Sequence, residues 1–257
     1  MLLADKSIVV TGATGIAAAG ALRVSREGGR VFVVSLVEDE CSGLVDQIDD
    51  EGGKAAWAAA DLTVESEADA AFETAAQFLG GLDGLFAVAG GSGRGYGDGP
   101  AHDMSLAGWE QTLQLNVNPM FLASRNALRL MRGSGGSIVL VSSVLATRPV
   151  PELFATHAYA AAKGATNAFV TTLASFYSAE RIRVNAIAPG LVRTPMSERA
   201  AADPATVDYT TRKQPLAAGF LDPDDIAATA VFLLSDEAAM ITGQVVAVDG
   251  GWSVTEV

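Results

Sequence analysis

Tyr159 and Lys163 stand four residues apart in HAYAAAKG, a spacing that puts both on one helical face and sets an ammonium beside a phenol. A phenol titrates near pH 10 and is a poor base at neutrality. Bringing it to pH 7 takes about 4 kcal/mol in favour of phenolate, which neighbouring positive charge supplies. Such a pair also occurs on many helices as an exposed, inert couple, so its meaning depends on what surrounds it.

A second chemistry lies near the N-terminus. In VTGATGIAAAG, Gly12, Gly15 and Ala18 follow a short β-branched run and open an Ala-rich one. A glycine turn between a strand and a helix lets the backbone approach a pyrophosphate, whose charge the helix N-terminus then stabilises. Thr14 and Ile16 lie in the same turn and join Gly12 and Gly15 as candidate cofactor contacts. Ala serves at the third position because the duty there is close helix–strand packing. At the end of the second strand, VFVVSLVEDE, a dinucleotide fold carries an acid for the ribose or a base for a 2′-phosphate. Ser35 and Leu36 hold those places, with Glu38 in reach of the ribose, and Arg23 and Arg26 are expected to face solvent. With no cation for an extra phosphate, NAD is expected rather than NADP.

The elements that must position these residues alternate along the chain. Strands are expected at Ser7–Thr11, Val31–Ser35, Lys54–Ala60, Leu82–Val88, Ser137–Ser142, Arg183–Ala188 and Gln244–Val248. Helices are expected at Ile16–Glu27, Asp39–Glu51, Glu65–Leu79, Leu106–Met131, Thr156–Ser178 and Asp224–Ser235, with a short helix or two in the irregular stretch Leu191–Phe220. Continuous apolar runs mark strands buried on both faces. The alternation specifies βαβ units: an α/β, Rossmann-like, doubly wound parallel sheet of about seven strands with helices on both faces. No low-complexity linker divides residues 1–257, which read as one domain, and Gly91–Pro100 reads as a loop at the edge of an active site.

Composition narrows the function classes. The 257 residues are 49% hydrophobic and 18% charged, as in a globular chain. Thirty acidic against seventeen basic side chains leave a net charge of −13, which repels phosphate backbones and argues against a nucleic-acid partner. Cys41 is the single cysteine and His102 and His157 the only histidines, so no metal site is expected. The N-terminus lacks the pattern of a signal peptide, and no run of about 18 apolar residues is present. The expectation is a cytoplasmic protein with no membrane partner.

Taken together, the blocks resemble the short-chain dehydrogenase/reductase family, in its single-domain subfamily. The resemblance covers essentially the whole chain. It runs through Gly12 and Gly15, DLT at Asp61–Thr63, LQLNVNPMF around Asn116, GSIVLVSS ending at Ser143, YAAAK, RIRVNAIAPGLVRTPM and the closing Asp249-Gly250-Gly251. It implies an NAD(P)-dependent oxidoreductase moving a hydride between nicotinamide and a secondary alcohol or ketone, the small-molecule substrate. Tyr159 is then the general acid/base, Lys163 holds the nicotinamide ribose and lowers the tyrosine pKa, and Ser143 hydrogen-bonds the substrate oxygen. Asn116 anchors a water linking Lys163 to solvent, or stabilises a kink in its helix. Asp61 and Leu62 are the implied adenine contacts, Gly90 borders the nicotinamide, and Pro189, Gly190, Val192 and Thr194 form the turn at the carboxamide. The family also implies a homotetramer through the helices at Leu106–Met131 and Thr156–Ser178.

Ser142 and Ser143 compete for the serine place; Ser143 is chosen because it leads into the active-site loop. Its gap to Tyr159 is longer than usual, which an insertion in LATRPVPELFATHA explains. Three features depart from the family pattern. The glycine turn is one residue tighter, the family's NNAG is AVAG at Ala87–Gly90, and Ser35 replaces the usual specificity residue. These departures motivate a rival reading, a non-catalytic nucleotide sensor or scaffold of the same fold; the complete Asn116, Ser143, Tyr159, Lys163 set opposes it. The substrate pocket is expected along Gly91–Met104, Val144–Ala158 and Leu191–Phe220. Arg94, Tyr96, Arg148 and Arg193 are candidate anion contacts there, His157 a possible substrate contact, and Leu145, Val150 and Leu153 an apolar lining.

Overall fold

A computed structural model describes residues 1–151 and 153–256. Glu152, inside the expected pocket stretch Val144–Ala158, and Val257, at the end of the expected domain, lie outside the described residues. The strands are β1 (Ser7–Thr11), β2 (Arg30–Ser35), β3 (Ala55–Ala59), β4 (Gly84–Ala87), β5 (Gly136–Val141), β6 (Ile182–Pro189) and β7 (Val245–Val248). All pair in parallel in the order β3-β2-β1-β4-β5-β6-β7. The chain therefore winds outward in one direction from β1 to β3, then returns to start the other half at β4.

The helices are α1 (Ile16–Arg26), α2 (Glu38–Asp50), α3 (Glu65–Leu79), α4 (Leu106–Met131), α5 (His157–Tyr177), α6 (Glu198–Ala201), α7 (Pro204–Lys213) and α8 (Pro223–Leu234). Alternation along the strands divides the core. Val9, Phe32, Leu85, Ile138 and Leu140 face α3, α4 and α5. Ile8, Val10, Val33, Phe86 and Val139 face α1, α2 and α8. Each such side chain taken from water contributes about 1.5–3 kcal/mol, which is why the strands read as unbroken apolar runs.

Three expected strands are longer than the observed ones. Lys54 and Ala60 flank β3, Leu82, Asp83 and Val88 flank β4, and Gln244 precedes β7. At β4 side chains also hold the ends: the Asp83 carboxylate accepts the Ser7 N–H at 2.8 Å, and Thr11 Oγ1 accepts those of Val88 and Ala89, both at 3.1 Å. Helix α4 runs unbroken through Pro119. The close-packing duty assigned to the third position of the glycine turn falls to Gly20. A β-carbon there would sit 2.4 Å from the Phe86 ring, whereas Ala18 is only partly buried.

Candidate active site

The loops that leave the carboxyl ends of the strands enclose a cleft of about 450 Å³. It opens where the strand order reverses between β1 and β4, the place where doubly wound sheets hold ligands. Apart from Glu38, which is absent from the lining, the residues expected to hold cofactor or to react line this one cleft.

Helix α5 carries Tyr159 and Lys163 one turn apart, with Lys163 Nζ 5.6 Å from the centre of the Tyr159 ring. Ser143 follows β5 and approaches the phenol as a hydrogen-bond partner, its Oγ also accepting the Leu145 N–H at 3.2 Å. Ser142 points elsewhere: its hydroxyl donates to the Lys163 carbonyl at 3.1 Å and lies 2.6 Å from Asn167 Oδ1. Of the two serines, the structure brings Ser143 to the tyrosine.

The electrostatics differ from the simple expectation that Lys163 lowers the Tyr159 pKa. Burial pushes the phenol up to about 12, although the Ser143 hydroxyl opposes the rise. Lys163 is 6% exposed, and burial pushes it down to about 8. Its ammonium donates to the Val141 carbonyl at 2.8 Å, which holds it under the tyrosine ring. The protein alone thus keeps the phenol protonated, because the cleft desolvates a phenolate more than the Ser143 hydroxyl compensates.

Asn116, buried in α4, spends its amide on the backbone. Nδ2 donates to the carbonyls of Thr112 at 2.9 Å and Gly91 at 3.0 Å, and Oδ1 accepts the Gly91 N–H at 3.2 Å. Both amide protons of the side chain are thus used on the backbone. The side chain therefore fixes the bend at Gly90 and Gly91, where a β-carbon on Gly90 would meet Oδ1 at 2.8 Å.

At the other end, Gly12 and Gly15 have φ of +97° and +54°, conformations that favour glycine. A β-carbon on Gly15 would come within 2.8 Å of Thr194, so the turn after β6 lies directly over the glycine turn. Thr14 and Ile16 complete the first wall, Pro189, Gly190 and Val192 the facing one. Beyond them Ser35 ends β2 with Leu36 after it, and Asp61 and Leu62 follow β3. This backbone-lined trough, with α1 starting at its edge, fits a dinucleotide pyrophosphate.

Several side chains in or behind the cleft were not singled out in the sequence, although all but Trp252 fall in the stretches expected to line it. Asp98 is 5% exposed and caps α5 from the loop after β4. Gln214, fully buried, clamps the turn after β6 by accepting the Leu191 N–H at 2.5 Å and donating to the Leu191 carbonyl at 3.1 Å. Phe154, Trp252 and Arg199 line the cleft. None follows a local pattern, because each reaches the site only through the tertiary fold: Asp98, Phe154 and Trp252 from loops, Arg199 from α6 and Gln214 from the end of α7.

Other candidates do not reach it. Tyr96, Arg148 and Arg193 are exposed and absent from the lining; Arg193 lies over Phe220 and Arg148 donates to the Ser253 carbonyl. His157 points outward and accepts the Ala101 N–H at 3.1 Å. Val150 and Leu153 pack with Trp252 behind the lining, whereas Leu145 is part of it. Of the expected stretch Gly91–Met104, Gly91, Ser92 and Arg94 reach the cleft. Among the described residues no group of three His, Cys, Asp or Glu is placed to hold a metal, and no helix is long and apolar enough to cross a membrane.

Comparison with known proteins agrees with this geometry. Residues 10–253 match the family model described as enoyl-(acyl carrier protein) reductase. The chain is similar to cis-4-hydroxycyclohexanecarboxylate dehydrogenase of Sinomonas cyclohexanicum, 32% identical with 97% of each chain covered. It is 35% identical to 2-(S)-hydroxypropyl-CoM dehydrogenase 3 of Xanthobacter autotrophicus, again over 97% of each. A solved short-chain type dehydrogenase/reductase from Mycobacterium ulcerans superimposes with a TM-score of 0.92 at 31% identity, covering 100% of this chain and 92% of the other.

Proposed function

The chain belongs to the short-chain dehydrogenase/reductase family and is an oxidoreductase of hydroxyl or keto groups; from that premise we propose that it interconverts a secondary alcohol and its ketone, with Tyr159 exchanging the proton at the substrate oxygen. The observation that carries this reading is the convergence of Ser143, Tyr159 and Lys163 on one wall of the cleft that holds the glycine turn.

A nicotinamide cofactor, when bound, supplies or accepts the hydride at the carbinol carbon. The protein positions and polarises. Ser143 donates its hydroxyl to the substrate oxygen. In reduction Tyr159 gives its phenolic proton to that oxygen as the carbonyl becomes an alcohol; in oxidation the phenolate takes the hydroxyl proton as the ketone forms. Lys163, under the ring, lowers the cost of the phenolate while charged and holds the ribose hydroxyls. Because burial alone leaves the phenol near 12, positive charge brought in with the oxidised cofactor must provide the rest of the lowering. Asn116 acts through the Gly90–Gly91 bend as a positioning residue.

NAD is the favoured cofactor. Ser35 and Leu36 present no cation where a 2′-phosphate would lie, and α2 begins beside them with Glu38, Asp39 and Glu40. Arg23 and Arg26, in α1, are engaged by Asp224 and Glu51. A nucleotide sensor of the same fold would gain nothing from the Ser143–Tyr159–Lys163 arrangement, and the named relatives are dehydrogenases.

Exchange of Tyr159 for Phe tests the proposal. Turnover is expected to fall by about 10²–10⁴, while NADH affinity stays within about threefold, a shift of less than 1 kcal/mol. Near-wild-type turnover in Tyr159→Phe overturns the proton-transfer role.

A further inference from the structure

The cleft runs against the charge balance of the chain. Acidic side chains outnumber basic ones thirty to seventeen overall, yet among the described residues the lining holds Arg94, Lys163 and Arg199 against Asp61. Asp61 follows β3, at the nucleotide end. Arg94 follows β4 and Arg199 follows β6, on either side in sheet order of the β5 end that leads to Ser143. Lys163 is committed to the Val141 carbonyl. Among the described residues, Arg94, half-buried, and Arg199, exposed on α6, are therefore the positive charges left over in the substrate half.

Neither arginine forms an ion pair among the described residues. Arg94 is half-buried and anchored by one bond, Nη2 to the Leu153 carbonyl at 3.1 Å, which leaves most of its fork unused. Burial holds the Arg94 guanidinium below its ordinary pKa; repulsion by Arg199 adds to the fall and Asp98 opposes it. Two carboxylates act on the arginines at longer range without pairing, Asp98 on Arg94 and Asp203 on Arg199; Asp98 holds the N–H groups of Ala158 and Tyr159, and Asp203 caps α7 through the Thr206 N–H and hydroxyl. A planar oxyanion between two guanidinium forks relieves this repulsion with charge-assisted bonds. Around it the lining is apolar, with Leu145, Phe154 and Trp252, the last two rings meeting edge to face at 6.0 Å.

We infer that the substrate is a hydroxy or oxo acid, its carboxylate held by Arg94 and Arg199 and its apolar skeleton lying against Leu145, Phe154 and Trp252. The inference rests on the oxidoreductase reading and adds the substrate class.

The test uses linear and cyclic hydroxy acids of four to eight carbons, each paired with its methyl ester, assayed with NAD and with NADP. The acids are expected to exceed their esters in kcat/KM by about tenfold or more, with KM for the acids rising with salt. In Arg94→Leu and in Arg199→Leu the acid-to-ester ratio falls towards one, and in the Lys variants of both it lies between. Bound NADH and an unchanged melting temperature show that each variant is folded. Esters turned over as well as or better than acids by the wild type overturn the inference and leave the oxidoreductase reading standing. A ratio unmoved in both Leu variants overturns the assignment to these arginines. No turnover of any acid, ester or simple ketone, with NADH bound, removes the oxidoreductase reading and the inference together.

Discussion

One carboxylate oxygen of Asp98 accepts the main-chain N–H of Tyr159 at 3.0 Å, and the other accepts that of Ala158 at 2.9 Å. Helix α5 has no cap from its own Thr156 side chain, so its first turn is satisfied from sixty residues away. The bond joins the loop after β4, which borders the cleft, to the helix that carries the reacting phenol. A buried negative charge at a helix N-terminus both fills orphan donors and complements the dipole.

Removing that cap strands two buried N–H groups. Asp98→Ala is expected to lower stability by about 2 kcal/mol in denaturant unfolding. It should lower kcat while leaving NADH affinity nearly unchanged, because the tyrosine moves and the glycine turn does not. Asp98→Asn keeps an acceptor oxygen and should recover part of both losses. Equal loss of kcat and cofactor affinity would mean that Asp98 serves the fold alone.

Lys163 makes stability depend on pH in a defined window. Burial pushes its amine down to about 8 from an ordinary 10.5. Between those values the unfolded chain binds a proton that the folded chain has released, so stability attributable to this group rises with pH. Against Lys163→Met, the wild type should gain about 3 kcal/mol between pH 8 and pH 10.5. Tyr159, pushed up to about 12, acts with the opposite sign and only above pH 10. A stability difference that stays flat across the window contradicts a buried, desolvated lysine.

The outer faces of α4 and α5 leave large aromatic surface in water. Phe176 is 72% exposed and Phe121 45%, the latter 6.4 Å from Phe169. We expect these faces to pair between copies in a homotetramer. Light scattering at micromolar concentration should give four chain masses, and Phe176→Glu should reduce the assembly without unfolding the chain. A monomeric wild type refutes this.

Much of the scaffold was readable from the chain. Spans such as Ser7–Thr11, Glu65–Leu79 and Leu106–Met131 coincide with β1, α3 and α4, because apolar periodicity and glycine stops act locally. The positions lining the cofactor trough follow from motifs fixed to strand ends. Asp98, Gln214, Arg199 and Trp252 did not emerge, since each acts through a contact that exists only after the loops fold. The same holds for charge: Arg94, Arg148 and Arg193 looked alike in sequence, and only the fold turns Arg94 inward. The Tyr159 pKa shows the limit of a spacing argument. Four residues set the ammonium near the phenol, while desolvation by the surrounding cleft decides the direction of the shift.

The proposed chemistry requires the cleft to accept a nicotinamide dinucleotide despite a shortened glycine turn, AVAG and Ser35. The most direct measurement is a titration of the purified protein with NADH and with NADPH, followed by nicotinamide fluorescence. NADH is expected to bind at least about tenfold more tightly, a difference of about 1.4 kcal/mol that reflects the missing cation beside Ser35 and Leu36. Tighter binding of NADPH would contradict the cofactor assignment, and binding of neither would contradict the oxidoreductase mechanism itself.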